Sequence, residues 1–144
     1  MRISPAFIMG LALVVSASPA HALDVEGTWQ GKQVCKLFNS SGLKDVDKFD
    51  AAMEISQEGT VVAVDIDDGT WTYSGAVLQS AQDADSGEIG MTLCKEGQSE
   101  TVRLKVKGDK MQGISIFRTN SENDTCKWVF ERVSTEDPLV TPCP

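Results

Sequence analysis

From residue 25 onward, apolar and polar side chains alternate in short runs separated by Gly, Asp or Lys. A two-residue period broken by turn-forming residues predicts strands joined into hairpins. Eight runs carry the pattern, at residues 25–37, 51–57, 60–67, 70–79, 88–94, 99–107, 110–118 and 125–133. No composition shift marks a linker, and no long repeat is visible. The expectation is therefore one all-β domain.

Partners across an antiparallel hairpin have residue numbers that add to a constant, so each turn predicts its own register. A two-residue turn at Glu58-Gly59 sets Ile55 opposite Val62 and Met53 opposite Val64. Asp68-Gly69, a strong hairpin signal, sets Ile66 opposite Trp71 and Val64 opposite Tyr73. Gly108-Asp109 pairs Val106 with Met111, and the loop 95–98 pairs Met91 with Val102 and Ile89 with Leu104. Each register brings apolar residues together on one face, and a slip of one residue would turn every side chain over. The dry face collects Trp29, Met53, Ile55, Val62, Val64, Ile66, Trp71, Tyr73, Val77, Ile89, Met91, Leu93, Val102, Leu104, Val106, Met111, Phe117, Trp128 and Phe130. The other face is mostly Lys, Glu, Thr, Gln and Ser. Eight strands with one dry face bury it by closing on themselves, which also removes the sheet edges. The predicted architecture is an eight-stranded antiparallel up-and-down barrel.

The first 22 residues stand apart. Arg2, an apolar run from Ala6 to Val15 and Ala20-His21-Ala22 have the layout of a secretory signal peptide with an A-x-A cleavage site. The run is shorter than the roughly 20 residues that span a bilayer. The expected mature chain is then residues 23–144, a barrel domain with a tail at 134–144, in a secreted or periplasmic location. Cleavage removes His21, the only histidine. Without imidazole, Ser-His-Asp hydrolysis, Cys-His proteolysis and His-ligated zinc are excluded. The mature chain keeps 12 basic against 21 acidic residues, a formal charge of −9. That balance disfavours nucleic-acid partners and anionic membranes.

Cys35, Cys94, Cys126 and Cys143 remain, with no C-x-x-C spacing. An even count in an exported domain predicts two disulfides. If the first and last strands meet at the seam, aligning Cys35 with Cys126 also places Trp29 opposite Arg132. The predicted bonds are Cys35–Cys126 across the seam and Cys94–Cys143 from the tail; Cys94–Cys126 with Cys35–Cys143 remains open, because spacing alone does not decide connectivity. A tail running back up the wall would let Leu139 and Val140 cover an outer patch of Ile114, Ile116, Val129 and Val133, which otherwise reads as a contact of a weak dimer.

Gly27-Thr28-Trp29 with Arg132 opposite resembles the G-x-W and arginine pairing of the lipocalins and their calycin relatives, in which the arginine packs over the tryptophan at the closed end. The avidins open with a similar Gly-Thr-Trp. The resemblance implies a lipocalin-like barrel, disulfide-stapled here, that binds a small apolar ligand or a partner protein. The chain departs from typical lipocalins in its short length, in showing no helix after the barrel and in its tail cysteine.

The segment 38–50 is the longest connection, with Leu43, Val46 and Phe49 at helical spacing. The resemblance makes it a lid over the open end; by composition it reads equally as a permanent plug. Gln33, Phe38, Leu43, Val46, Phe49 and Tyr73 are the candidate ligand-binding residues. Inward Gly31, Gly75, Gly113 and Ser115 are the small positions that would leave an internal pocket. The acidic loops 65–69 and 83–88 lack the spaced ligands of a calcium loop and read as Asp-rich turns. Neither a metal nor an organic cofactor is expected. Glu100, near one rim, is the single inward acid on the strands, so the paired carboxylates of glycoside hydrolysis are missing. The expected function is non-enzymatic binding at the barrel rim, with a protein-directed module of the protease-inhibitor kind as the alternative.

Overall fold

The structure is a computed structural model that describes residues 23–80 and 83–143; the expected signal segment 1–22, His21 included, lies outside the described residues. Eight strands form a closed antiparallel barrel: β1 (Gly27–Asn39), β2 (Gly42–Glu58), β3 (Val61–Ile66), β4 (Trp71–Gln79), β5 (Ser86–Leu93), β6 (Ser99–Lys107), β7 (Lys110–Arg118) and β8 (Asn123–Ser134). β1 meets β8 at the seam, with Cys35 opposite Cys126 and Trp29 opposite Arg132. The turns at 67–70, 94–98 and 108–109 give the expected pairs Ile66–Trp71, Met91–Val102 and Val106–Met111.

One register differs. Ile55 faces Val64 and Gln57 faces Val62, so the turn is Gly59-Thr60 rather than Glu58-Gly59. Gly59 takes φ +61° as the first central residue, the Gly-first arrangement of a type II′ hairpin. The displacement is two residues, so the same side chains still face inward.

The wall alternates strictly where it is regular. Along β6, Val102, Leu104 and Val106 are buried while Thr101, Arg103, Lys105 and Lys107 face out. Charged side chains on the outer face are the reverse of a lipid-embedded barrel. Inside, Trp29, Trp128, Phe130, Met53, Ile55 and Met111 are fully buried and fill the lower part of the barrel. The small inward positions leave no pocket. A Cβ on Gly31 would strike the Val129 carbonyl and the Phe130 ring, and one on Gly75 would strike the Gly90 carbonyl and Met91. At Gly113 the obstacle is the Arg103 carbonyl. Ser115 is fully buried, its Oγ accepting the Trp128 indole N–H at 3.0 Å. These residues are small because neighbouring strands and rings come close, so the space they vacate is already occupied.

The lower end is closed by the segment before β1. Leu23 and Val25 are buried there; Gln57 Oε1 accepts the Val25 N–H at 2.9 Å, and its Nε2 donates to the Leu23 carbonyl at 3.0 Å. Trp29 Nε1 donates to the Val25 carbonyl at 3.0 Å. The Arg132 guanidinium lies 4.8 Å from the Trp29 ring centroid and donates to the carbonyls of Asp24 and Glu26. Its Nε is 3.2 Å from Asp109 Oδ1, close enough for an ion pair but not aligned as a hydrogen bond.

Both favoured disulfides are present, Cys35–Cys126 and Cys94–Cys143. The tail does run back up the wall, but over a different face from the one expected. Ser56, Ala63 and Ser74 stand in register across β2, β3 and β4. Ser56 Oγ donates to Asp137 Oδ1 at 2.6 Å and accepts the Val140 N–H at 2.7 Å; Ser74 Oγ accepts the Cys143 N–H at 3.3 Å. A row of small side chains makes a shallow channel for the tail, and outward-facing Ala63 is buried beneath it. Ile114, Ile116, Val129 and Val133 stay exposed on the opposite wall, and so does Leu139.

The expected lid is also different. Residues 38–50 are not helical; they extend β1 and β2 into a hairpin that projects beyond the barrel, with every residue from Gly42 to Asp50 exposed. Lys44 is the extra residue of a bulge between the pairs Leu37–Asp45 and Phe38–Leu43. The bulge breaks the two-residue alternation, which is why the apolar spacing resembled a helix.

Candidate functional site

Three hairpins and the β1–β2 projection surround the upper end of the barrel, which stays open. Above the packed interior lies a cup of about 140 Å³. Its walls come from strand residues whose side chains point inward by the regular alternation: Gln33 and Cys35 from β1, Phe49 from β2, Trp71 and Tyr73 from β4, Glu100 from β6, Phe117 from β7, Asp124 and Cys126 from β8. Ile66 and Asp67 complete it at the β3–β4 turn. The Cys35–Cys126 disulfide is therefore part of the wall, tying the first and last strands together at the level of the site.

Aromatic rings form much of the lining. Trp71 and Phe117 meet edge to face with centroids 6.0 Å apart, and Tyr73 meets Trp128 in the floor at 6.2 Å in the same manner. Such pairs hold ring orientation through complementary quadrupoles. Across the cup, the Tyr73 phenol donates to Glu100 Oε2 at 2.7 Å. Gln33 and Glu100 are each 7% exposed, yet both line the cup. The Gln33 side-chain amide meets no hydrogen-bond partner among the described residues. Asp124 Oδ1, by contrast, is fully buried without a donor among them. A polar side chain that opens onto a cavity and lacks a protein partner is free to bind there, as the Gln33 amide is.

Three carboxylates and no basic side chain line the cup. Burial raises the Tyr73 phenol far above its ordinary range, assisted by the charge and hydrogen bond of Glu100 and by Asp67. Tyr73 is thus a fixed hydrogen-bond donor and not a proton-transfer group near neutrality. Asp124 is also raised, first by burial and then by Glu122, Asp47 and Glu100, against a smaller opposing effect of Lys44. The like charges are crowded enough to resist one another.

Of the candidate ligand-binding residues, the structure brings Gln33, Phe49 and Tyr73 to the cup. Phe38, Leu43 and Val46 are not there. Phe38 pairs with Leu43, and Val46 pairs with Lys36 on the hairpin's outer side, away from the inward Gln33–Phe49 pair. Asp124 was outside the expected eighth strand; carrying the alternation from Trp128 and Cys126 one step further places it inward. Trp71 and Phe117 read as ordinary core positions, and only their height near the rim makes them lining. Asp67 sits in a turn with φ 55°, where periodicity is silent.

No protein-family model matches the chain, and no curated protein matches it in sequence. Among solved structures, EF1p2_mFAP2b bound to DFHBI is similar at 12% identity with a TM-score of 0.45, over 80% of this chain and 99% of that one. Likeness of that degree does not bear on what this chain binds. A larger concavity of about 780 Å³ lies on the outer wall beside Leu78, Lys107 and Lys110. None of the buried polar side chains faces it, whereas Gln33 and Glu100 converge on the cup. Among the described residues no group of acidic or cysteine side chains is arranged to hold a metal ion.

Proposed function

We propose that the chain is an exported, lipocalin-like, non-enzymatic binding protein that takes a small ligand, or the head group of a larger one, in the cup at the open end. The carrying observation is Gln33: a nearly buried amide without a partner, aimed into a cavity walled by Trp71, Tyr73 and Phe117. At about 140 Å³ the cup is below the roughly 300 Å³ of drug-sized sites, so the bound portion is a few heavy atoms. Export rests on the layout of the first 22 residues and agrees with two disulfides. A lipocalin-like membership rests on Gly27-Thr28-Trp29 and the stacking of Arg132 on Trp29. Binding without catalysis fits a site whose phenol is held protonated and whose acids have no inward base. Ligand-observed NMR with a mixed fragment library tests the reading. Hits are expected on the native chain and are expected to be lost in Gln33→Trp, whose indole fills the cup, while circular dichroism stays unchanged; hits that survive the substitution would place binding elsewhere.

A protein-directed role has its own observation. β2 is paired to β3 only from Met53 downward, so from Gly42 to Ala51 its outer edge has no strand partner among the described residues. An open edge accepts an added strand through main-chain hydrogen bonds, and outward Phe38, Leu43 and Val46 would supply apolar contacts. In this reading, replacing Val46 by Pro abolishes capture of the partner protein and leaves fragment binding in the cup intact.

A further inference from the structure

We infer that the ligand of the cup is a small organic ammonium cation, bound by aromatic faces and carboxylates together; this rests on the cup being the binding site. Three classes of occupant can be compared on the same walls. A neutral apolar molecule would strip water from Glu100 and Asp124 and return no hydrogen bond or charge, leaving acidic groups desolvated without compensation. An anion would meet Asp67, Glu100 and Asp124 with no basic side chain in the lining. A cation meets walls that include the aromatic rings of Trp71, Phe117 and Tyr73, whose electron-rich faces attract ammonium groups most strongly where water is excluded. It also meets the carboxylates of Asp124 and Glu100 in the lining, and the Tyr73 phenol occupies only Oε2 of Glu100.

Further observations point the same way. Unpartnered Gln33 turns its amide into the cup, and its carbonyl oxygen can accept an ammonium N–H or face a methylated nitrogen. The chain already places one ammonium against this aromatic set: Lys95 Nζ lies 4.6 Å from the Trp71 ring centroid at the rim. A positive ligand would offset the neighbouring charges of Glu122, Asp47 and Glu100 that add to burial in raising Asp124. An overall formal charge of −8 draws cations toward the protein before contact.

The full chain is titrated by calorimetry with choline and n-butylammonium, and in parallel with their neutral isosteres, in which carbon or hydroxyl replaces the charged nitrogen group. At least one ammonium is expected to bind about tenfold or more tightly than its isostere. Glu100→Gln keeps an acceptor for the Tyr73 phenol and is expected to weaken that ammonium about tenfold without lowering the melting temperature. Asp124→Asn, at the rim, is expected to weaken it as well. Equal binding of ammonium and isostere overturns the charge assignment while leaving the cup as the site. If neither ammonium binds but fragment hits sensitive to Gln33→Trp exist, the assignment also falls and the cup reading stands. If no fragment binds either, both fall together.

Discussion

At Gly31 an added methyl group meets the Val129 carbonyl and the Phe130 ring with nowhere to go, so Gly31→Ala is expected to destabilise by about 1–3 kcal/mol. Urea denaturation reads this as a lower midpoint at unchanged slope. Asp124 makes a prediction of opposite sign. Its pKa is raised above the ordinary 3.8 by burial and by neighbouring carboxylates, so the folded state prefers the protonated form. The contribution is fully present below the unfolded value and is lost as pH rises through the folded one. Asp124→Asn is therefore expected to match the native chain at low pH and to exceed it in melting temperature at neutral pH, by a small margin because the group is partly solvated. At this scale the sequence was informative about direction and silent about partners. Inward placement of Glu100 and Tyr73 follows from alternation. Their hydrogen bond does not, because β4 and β6 are separated by β5 and no hairpin register couples them.

Among the elements, hairpins closed by Asp and Gly in fixed positions were legible to the residue, as at Asp68-Gly69 and Gly108-Asp109. The β2–β3 turn was misplaced because Gly59 serves as the first central residue and not the second. The β1–β2 projection was misread because the bulge at Lys44 interrupts the two-residue period, and because a hairpin exposed on both faces carries no dry side to mark it. The tail belongs to this scale too. Its path over Ser56, Ala63 and Ser74 depends on small residues from three strands, a pattern that no single stretch displays. Cys94–Cys143 closes a separation of 49 residues, so Cys94→Ser with Cys143→Ser is expected to cost up to about 4 kcal/mol. Hydrogen exchange at Ala63 should accelerate in that variant as the tail lifts. Asp137, lowered by the hydrogen bonds from Ser56 and the Leu139 amide, stabilises the docked tail above the ordinary carboxylate pKa. That contribution is lost as pH falls through its depressed value.

For the whole molecule, closure does two things at once. It buries the dry face of eight strands, and it sorts the interior into a packed lower part and an open upper part. The lower part is capped by Leu23, Val25 and the Arg132–Trp29 stack; the upper part is left with aromatic walls, carboxylates and an unpartnered amide. The barrel and its seam were readable from the summed registers and the cysteines. Which end would be filled was not, since packing across a barrel depends on side chains far apart in sequence. Two-dimensional NMR of the three indole N–H groups during titration with choline or n-butylammonium tests the division directly. Trp29 and Trp128 donate to Val25 and Ser115 inside the packed part, whereas Trp71 stands in the cup wall. The predicted result is a saturable shift of Trp71, a smaller one of Trp128 beneath Tyr73, and none of Trp29. A shift of Trp29, or movement confined to the outer wall around Leu78 and Lys107, would contradict the account.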